Sequence, residues 1–115
     1  MSKLDLIARF QIPEGRLEDL KPLAARCLAA VQEKDPGTLR YDWYLDESDT
    51  ECVVVETYDS SEALLAHFQT VEEPLGEALE FTTVELELYG EPSAELREAL
   101  TSLGARFYTY LQGLG

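Results

Sequence analysis

The sequence predicts an α+β domain in which helices cover one face of an antiparallel sheet. Four stretches alternate apolar and polar residues with period two, and the stretches between them repeat apolar residues at helical spacing. The order runs strand, helix, strand, strand, helix, strand, followed by one more helical pattern. At 115 residues the chain suffices for one hydrophobic core but not for two ordinary domains.

From Leu4 to Ile12 the residues Leu4, Leu6, Ala8, Phe10 and Ile12 alternate with Asp5, Arg9 and Gln11, interrupted only by Ile7, the signature of a half-buried strand. Pro13-Glu14-Gly15 ends it. Leu17, Leu20, Ala24, Cys27, Leu28 and Val31 then recur at helical spacing. Pro22 would remove a backbone hydrogen bond deep inside a helix, so this helix is expected either to begin near Asp19 as its cap or to kink. Asp35-Pro36-Gly37 closes it. Leu39, Tyr41, Trp43 and Leu45 alternate with Arg40, Asp42 and Tyr44 in a second strand. The turn at Asp46–Thr50 leads straight into the β-branched run Cys52–Tyr58, which makes an antiparallel hairpin. Asp59 with Glu62 three residues later resembles a capping box, opening a helix whose Leu64, His67, Phe68 and Val71 form one stripe. Pro74 and Gly76 mark a turn or loose helical segment before a fourth strand, Thr82–Tyr89. After Gly90 and Pro92, Ser93 is the expected cap of a terminal helix carrying Leu96, Leu100, Leu103, Phe107 and Leu111.

Composition excludes several classes. The formal net charge is −14 and the pI about 4.2, a field that repels phosphate backbones and anionic lipid, so no nucleic acid or membrane partner is expected. The acids are scattered, as on a solvated surface. No apolar run approaches the length of a membrane span, and the N-terminal residues lack a signal-peptide pattern, from which a cytoplasmic protein is expected. Cys27 and Cys52 are too few and too far apart for a redox or zinc motif and read as small apolar fillers. No phosphate-binding glycine loop, HExxH or GxSxG is present, so nucleotide, metalloprotease and serine-hydrolase readings have no residues to stand on. No metal and no cofactor are expected.

Two βαβ halves joined by a hairpin form a ferredoxin-like βαββαβ arrangement with both helices on one face of an antiparallel four-stranded sheet. The opposite face would carry Ile7, Arg9, Arg40, Asp42, Tyr44 and Glu87, a mixture of apolar and opposite-sign groups suited to a symmetric contact between two copies. Phe107, Tyr108 and Tyr110 on several sides of the expected terminal helix point the same way. A homodimer is expected, with a solvated sheet face as the alternative.

Pro36-Gly37-Thr38-Leu39-Arg40-Tyr41-Asp42, followed by Val55-Glu56-Thr57-Tyr58-Asp59-Ser60-Ser61-Glu62-Ala63-Leu64-Leu65-Ala66-His67, resembles the antibiotic biosynthesis monooxygenase (ABM) domain family. The resemblance runs from about Leu4 to Tyr89. It implies an ABM-like ferredoxin-fold domain over residues 1–90 and pairing of two sheets into a dimeric α+β barrel; residues 91–115 lie outside the resemblance and are expected to form a C-terminal helical extension of the same domain. For activity it implies cofactor-independent monooxygenation of a quinol- or anthrone-like aromatic molecule by O₂. Relatives include isomerases, haem-degrading enzymes and members without a known reaction, among which fold does not choose. The haem-degrading branch relies on an Asn, Trp and His set, and this chain has no asparagine.

His67 is the single histidine, and with a pKa near neutrality it is a candidate catalytic base for a phenolic hydroxyl; the alternative is a core histidine on the apolar stripe. Glu56 stands among valines and a threonine. Buried near His67 it would orient the ring or act as a base; on the other face it would pair with Arg9 or Arg40. Tyr41 and Trp43 would stack on a flat substrate between sheet and helices, joined by Phe68, unless these rings are simply core. Tyr58 and Tyr44 are candidate hydrogen-bond donors to a substrate carbonyl. A non-catalytic small-molecule-binding or stress-associated module, or an isomerase of a small carbonyl compound, are the competing functions.

Overall fold

The computed structural model describes residues 3–114. Strands β1 (Leu4–Gln11), β2 (Thr38–Leu45), β3 (Glu51–Tyr58), β4 (Thr83–Tyr89) and β5 (Arg106–Tyr108) form one sheet in the order β2-β3-β1-β4-β5. Helices α1 (Leu17–Lys34), α2 (Ser61–Thr70), α3 (Glu72–Leu79) and α4 (Ala94–Ser102) complete the α+β fold. β1 sits centrally, antiparallel to β3 and to β4, with Leu6 opposite Glu56 and Leu88, and Ala8 opposite Val54 and Leu86. One face of these strands is therefore a continuous buried surface of Leu4, Leu6, Ala8, Phe10, Val54 and Leu88. Their outward neighbours Ile7, Arg9, Val53 and Val55 are half-buried.

The expected four-stranded antiparallel sheet needs correction: a fifth strand, β5, pairs in parallel with β4. The terminal helix is also shorter than its apolar spacing suggests. Ser93 does cap it, accepting from the Leu96 amide at 3.2 Å. Leu96 and Leu100 are fully buried, each contributing roughly 1.5–3 kcal/mol. Leu103, however, is more than half exposed, and Gly104 at φ +80° turns the chain out of the helix. Phe107 then lies in β5 under the Arg97 guanidinium, while Leu111 is almost wholly exposed in the tail. β4, α4 and β5 thus form a βαβ crossover that finishes the sheet.

Three local expectations shift as well. α1 begins at Leu17 and not near Asp19, with Asp19 and Leu20 amides already donating to the Arg16 carbonyl, so Pro22 lies in the second turn of the helix. Ser60, not Asp59, caps α2, its hydroxyl accepting from the Ala63 amide at 3.1 Å. The segment around Pro74 and Gly76 is a regular helix, α3: Pro74 falls in its first turn, where a backbone N–H has no helical partner to lose. Among the described residues no helix is long and apolar enough to cross a membrane.

Candidate functional site

The helix-covered face of the sheet does not close completely. A cavity of about 450 Å³ lies between it and α2, α3 and α4, walled by Phe10, Phe68, Leu75 and Leu86 and rimmed by the exposed Leu79 and Leu103. Among the described residues its ionisable lining consists of Glu56, His67 and Glu72, together with the Tyr41 phenol, and includes no lysine or arginine. Tyr41 and Trp43 line it from β2, and so does Phe68 from α2.

His67 reaches this wall because of a close approach elsewhere. Asp35 caps α1, its amide donating to the Val31 carbonyl at 3.0 Å, and Pro36-Gly37 turn the chain into β2. A Cβ on Gly37 would stand 2.6 Å from the Ala63 Cβ, so only glycine lets α2 pack this near the turn. One helical turn after Ala63, on the same face, His67 arrives beside Asp35. The His67 Nδ1 lies 3.0 Å from Asp35 Oδ2, both side chains being buried. A carboxylate only accepts, so Nδ1 carries the proton and Nε2 presents a lone pair. Hydroxyls of Thr38 and Thr70 donate to the two Asp35 oxygens at 3.2 Å each and hold the carboxylate in place.

Glu56 projects from β3 onto the same wall, 5% exposed, with Oε1 3.8 Å from His67 Nε2. It does not pair with Arg9 or Arg40. Arg9 meets Glu87 at 3.7 Å on the opposite sheet face, and Arg40 donates to Asp42 at 2.7 Å and to the Tyr44 hydroxyl at 3.0 Å. Burial instead pushes the Glu56 carboxyl up to about 8, opposed by the hydrogen bond donated by the Tyr58 hydroxyl. Burial also moves His67 below its ordinary value, against the pull of Asp35. Near neutral pH the wall therefore presents an uncharged imidazole with an open acceptor nitrogen beside an uncharged carboxylic acid. These two groups are an acceptor and a donor of protons in one apolar setting.

The rings around them are fixed by edge contacts. Tyr41 lies 4.9 Å and Tyr58 5.2 Å from the imidazole, both steeply inclined to it. Tyr58 is fully buried and is not on the cavity wall; it acts on the site through Glu56 and does not reach a ligand. Tyr44 lies outside the cavity. Trp43 stacks on Phe10 at 6.1 Å, and its buried indole Nε1 meets no hydrogen-bond partner in full geometry among the described residues, the Tyr41 hydroxyl being the neighbour it acts on. Among the described residues no three His, Cys, Asp or Glu side chains converge in a way that would hold a metal ion.

Asp35 is the functional residue missing from the sequence reading. An Asp-Pro-Gly string signals the end of a helix, and nothing local shows that its carboxylate turns back to a histidine 32 residues later.

Comparison with known proteins bears on the same residues. No curated protein matches the sequence. Among solved structures, MupZ from Pseudomonas fluorescens superposes with a TM-score of 0.89 at 24% identity, covering 100% of this chain and 95% of that one. Rv0793 from Mycobacterium tuberculosis gives 0.70 at 23% identity over 80% of this chain and 97% of its own. A variant of SnoaB, a cofactor-independent oxygenase from Streptomyces nogalater, gives 0.68 at 15% identity over 82% and 97%. At these identities the likeness is one of fold. The family model described as antibiotic biosynthesis monooxygenase matches residues 5–73, which include Asp35, Tyr41, Trp43, Glu56 and His67. With most of its length inside that match, the chain belongs to the antibiotic biosynthesis monooxygenase family.

Proposed function

We propose that the protein is a cofactor-independent monooxygenase that uses His67 as general base and Glu56 as general acid on a quinol- or anthrone-like aromatic molecule. The observation that carries this reading is the pair of buried groups on one cavity wall: an imidazole whose Nδ1 meets Asp35 at 3.0 Å, and the Glu56 carboxyl 3.8 Å from its Nε2, which burial favours in its protonated form. His67 Nε2 removes a proton from the aromatic hydroxyl or its activated CH, leaving an electron-rich anion. Electron transfer to O₂ and C–O bond formation give a hydroperoxide. Loss of the second hydrogen of an activated CH₂ as a proton, with cleavage of the O–O bond, leaves a carbonyl, and the departing oxygen leaves as water after taking a proton from Glu56. One oxygen atom enters the product, the other becomes water, and the substrate supplies all four electrons. Tyr41, Trp43 and Phe68 line the cavity instead of closing it, which favours a ligand there over a filled core.

The test is O₂ consumption by the purified protein against a panel of hydroquinones and anthrones, with autoxidation subtracted. His67→Ala should lower turnover by roughly 10²–10⁴-fold; equal uptake by the variant would overturn the assignment. The nearness of acid and base also suits a second reading, isomerisation of a small carbonyl compound by proton removal at His67 and donation from Glu56. Exchange of substrate hydrogen with solvent without O₂ uptake would select it.

We also assign the helix-free sheet face to a homodimer contact. Ile7, Val53 and Val55 are half-buried there beside the Arg9, Arg106 and Glu87 cluster, and the 12.9 kDa chain sedimenting alone at micromolar concentration would refute this.

A further inference from the structure

We propose that the gap between α3 and α4 is the passage by which a ligand reaches His67, and that Gly76 sets its width and so the size of molecule admitted. This rests on the cavity being a ligand site, as read above, and not on the reaction carried out there.

The floor of the cavity is buried: Leu6, Ala8, Val54, Glu56, His67 and Leu86. The exposed part of the lining consists of Glu72, Gly76 and Leu79 on α3, with Ser102 at the end of α4 and Leu103 as its C-cap. The cavity therefore meets solvent between these two helices, and Leu79 and Leu103 give the opening an apolar lip on each side. Glu72, Leu75, Gly76 and Leu79 share one side of α3 by their spacing, opposite the buried Pro74 and Ala78, so a side chain at position 76 would stand in the opening.

The two helices are anchored away from each other. Arg26 of α1 holds α3, meeting Glu73 at 3.5 Å and Glu77 at 3.1 Å. α4 is fixed to α2 instead, the Ser93 amide at its cap donating to the Ser61 hydroxyl at 2.9 Å. Among the described residues no hydrogen bond or ion pair draws α3 and α4 together across the gap.

Gly76 has no packing reason to be glycine. Inside a helix, glycine is less favourable than any residue but proline. Its backbone is helical, not left-handed, and a Cβ built on it would meet nothing within 4 Å outside its own helix. Gly37, where the same Cβ would stand 2.6 Å from Ala63, shows what a glycine required by close approach looks like. Glycine at 76 keeps clear a space that the fold itself does not use, and that space is the mouth of the cavity.

The probe is N-phenyl-1-naphthylamine, an uncharged dye chosen because Glu72 stands at the rim and no lysine or arginine lines the cavity. Energy transfer from Trp43, the single tryptophan and a lining residue, reports its binding in stopped flow. Gly76→Cys introduces a thiol at the gap, while Cys27 and Cys52 are buried. Benzyl methanethiosulfonate then adds a benzyl group to the folded chain, and dithiothreitol removes it. Labelling should slow association and dissociation alike by about tenfold while moving the affinity by less than about threefold, and reduction should restore both rates. Gly76→Ala should raise the Tm, since its methyl gains helix propensity and meets open space. Rates unchanged by the label, affinity lost with association unslowed, or a lowered Tm in Gly76→Ala would overturn the proposal. Absence of energy transfer in the wild-type protein would overturn the cavity as a ligand site and the passage with it. Slowed entry in a protein that consumes no oxygen would sink the monooxygenase reading while leaving the passage standing.

Discussion

Glu56→Gln should stabilise the protein at neutral pH while removing the proton that the proposed mechanism draws from this side chain. The carboxyl has an ordinary value of 4.5 and is raised to about 8 by burial in the folded chain. Because the folded value lies above the unfolded one, the stability that the neutral carboxyl contributes is fully present below pH 4.5. It is lost as pH rises toward 8, where the unfolded chain has already released its proton and the folded chain has not. Glutamine has the same shape, still accepts from the Tyr58 hydroxyl and does not titrate. Each unit of displacement corresponds to about 1.36 kcal/mol, so between pH 5.5 and 7.5 the variant should gain roughly 3 kcal/mol relative to wild type. For a domain of this size that is a rise of about 10 °C in the difference between the two Tm values. The window stays above the pI of about 4.2, where the chain remains strongly charged. Thermal unfolding of both proteins at equal concentration in steps of half a pH unit measures it, since titrations common to both cancel in the difference. A difference flat to within 2 °C across the window would refute the reasoning. It would mean that Glu56 is ionised in the folded chain, paired with a protonated His67 across the 3.8 Å gap.

Two further perturbations probe what holds His67 in place. Asp35→Asn replaces an acceptor by a side chain that also donates, so the His67 tautomer should invert and turnover fall by roughly 10²–10⁴-fold; nitrogen-15 shifts of the imidazole would show the inversion without any substrate, and an unchanged tautomer would refute the role given to Asp35. Gly37→Ala should lower stability by about 1–3 kcal/mol because its Cβ meets the Ala63 Cβ at 2.6 Å, and the imidazole shifts should move with it; a Tm within 1 °C of wild type would show that α2 gives way freely.

The sequence made much of this legible through contrast. A glutamate inside the run Val53-Val54-Val55-Glu56-Thr57 is conspicuous, and so is a lone histidine on an apolar stripe; the first four strands and first two helices follow from periodicity. What stayed hidden depends on distance along the chain. The Asp35–His67 contact joins a helix end to the middle of another helix, and the choice of Glu56's partner depended on which sheet face β3 turned inward. β5 was hidden differently: three residues are too few to show a period of two, and Phe107 happens to continue the helical spacing of Leu96, Leu100 and Leu103. Gly104 was the one local sign of a break. Pro74 misled because proline reads as a stop, although in the first turn of a helix it is a start.

The β4–α4–β5 crossover also divides the cavity between two stretches of chain. Asp35, Glu56 and His67 all fall within residues 5–73, the part that matches the family model. Leu86 of β4, with Ala99, Ser102 and Leu103 at the far end of α4, falls beyond it and forms the wall opposite in sequence. The segment carrying His67, Glu56 and the rings beside them is thus separate in sequence from the wall that faces them. Changes in the length or ending of α4 would therefore reshape one side of the cavity while leaving the Asp35–His67 contact and Glu56 undisturbed.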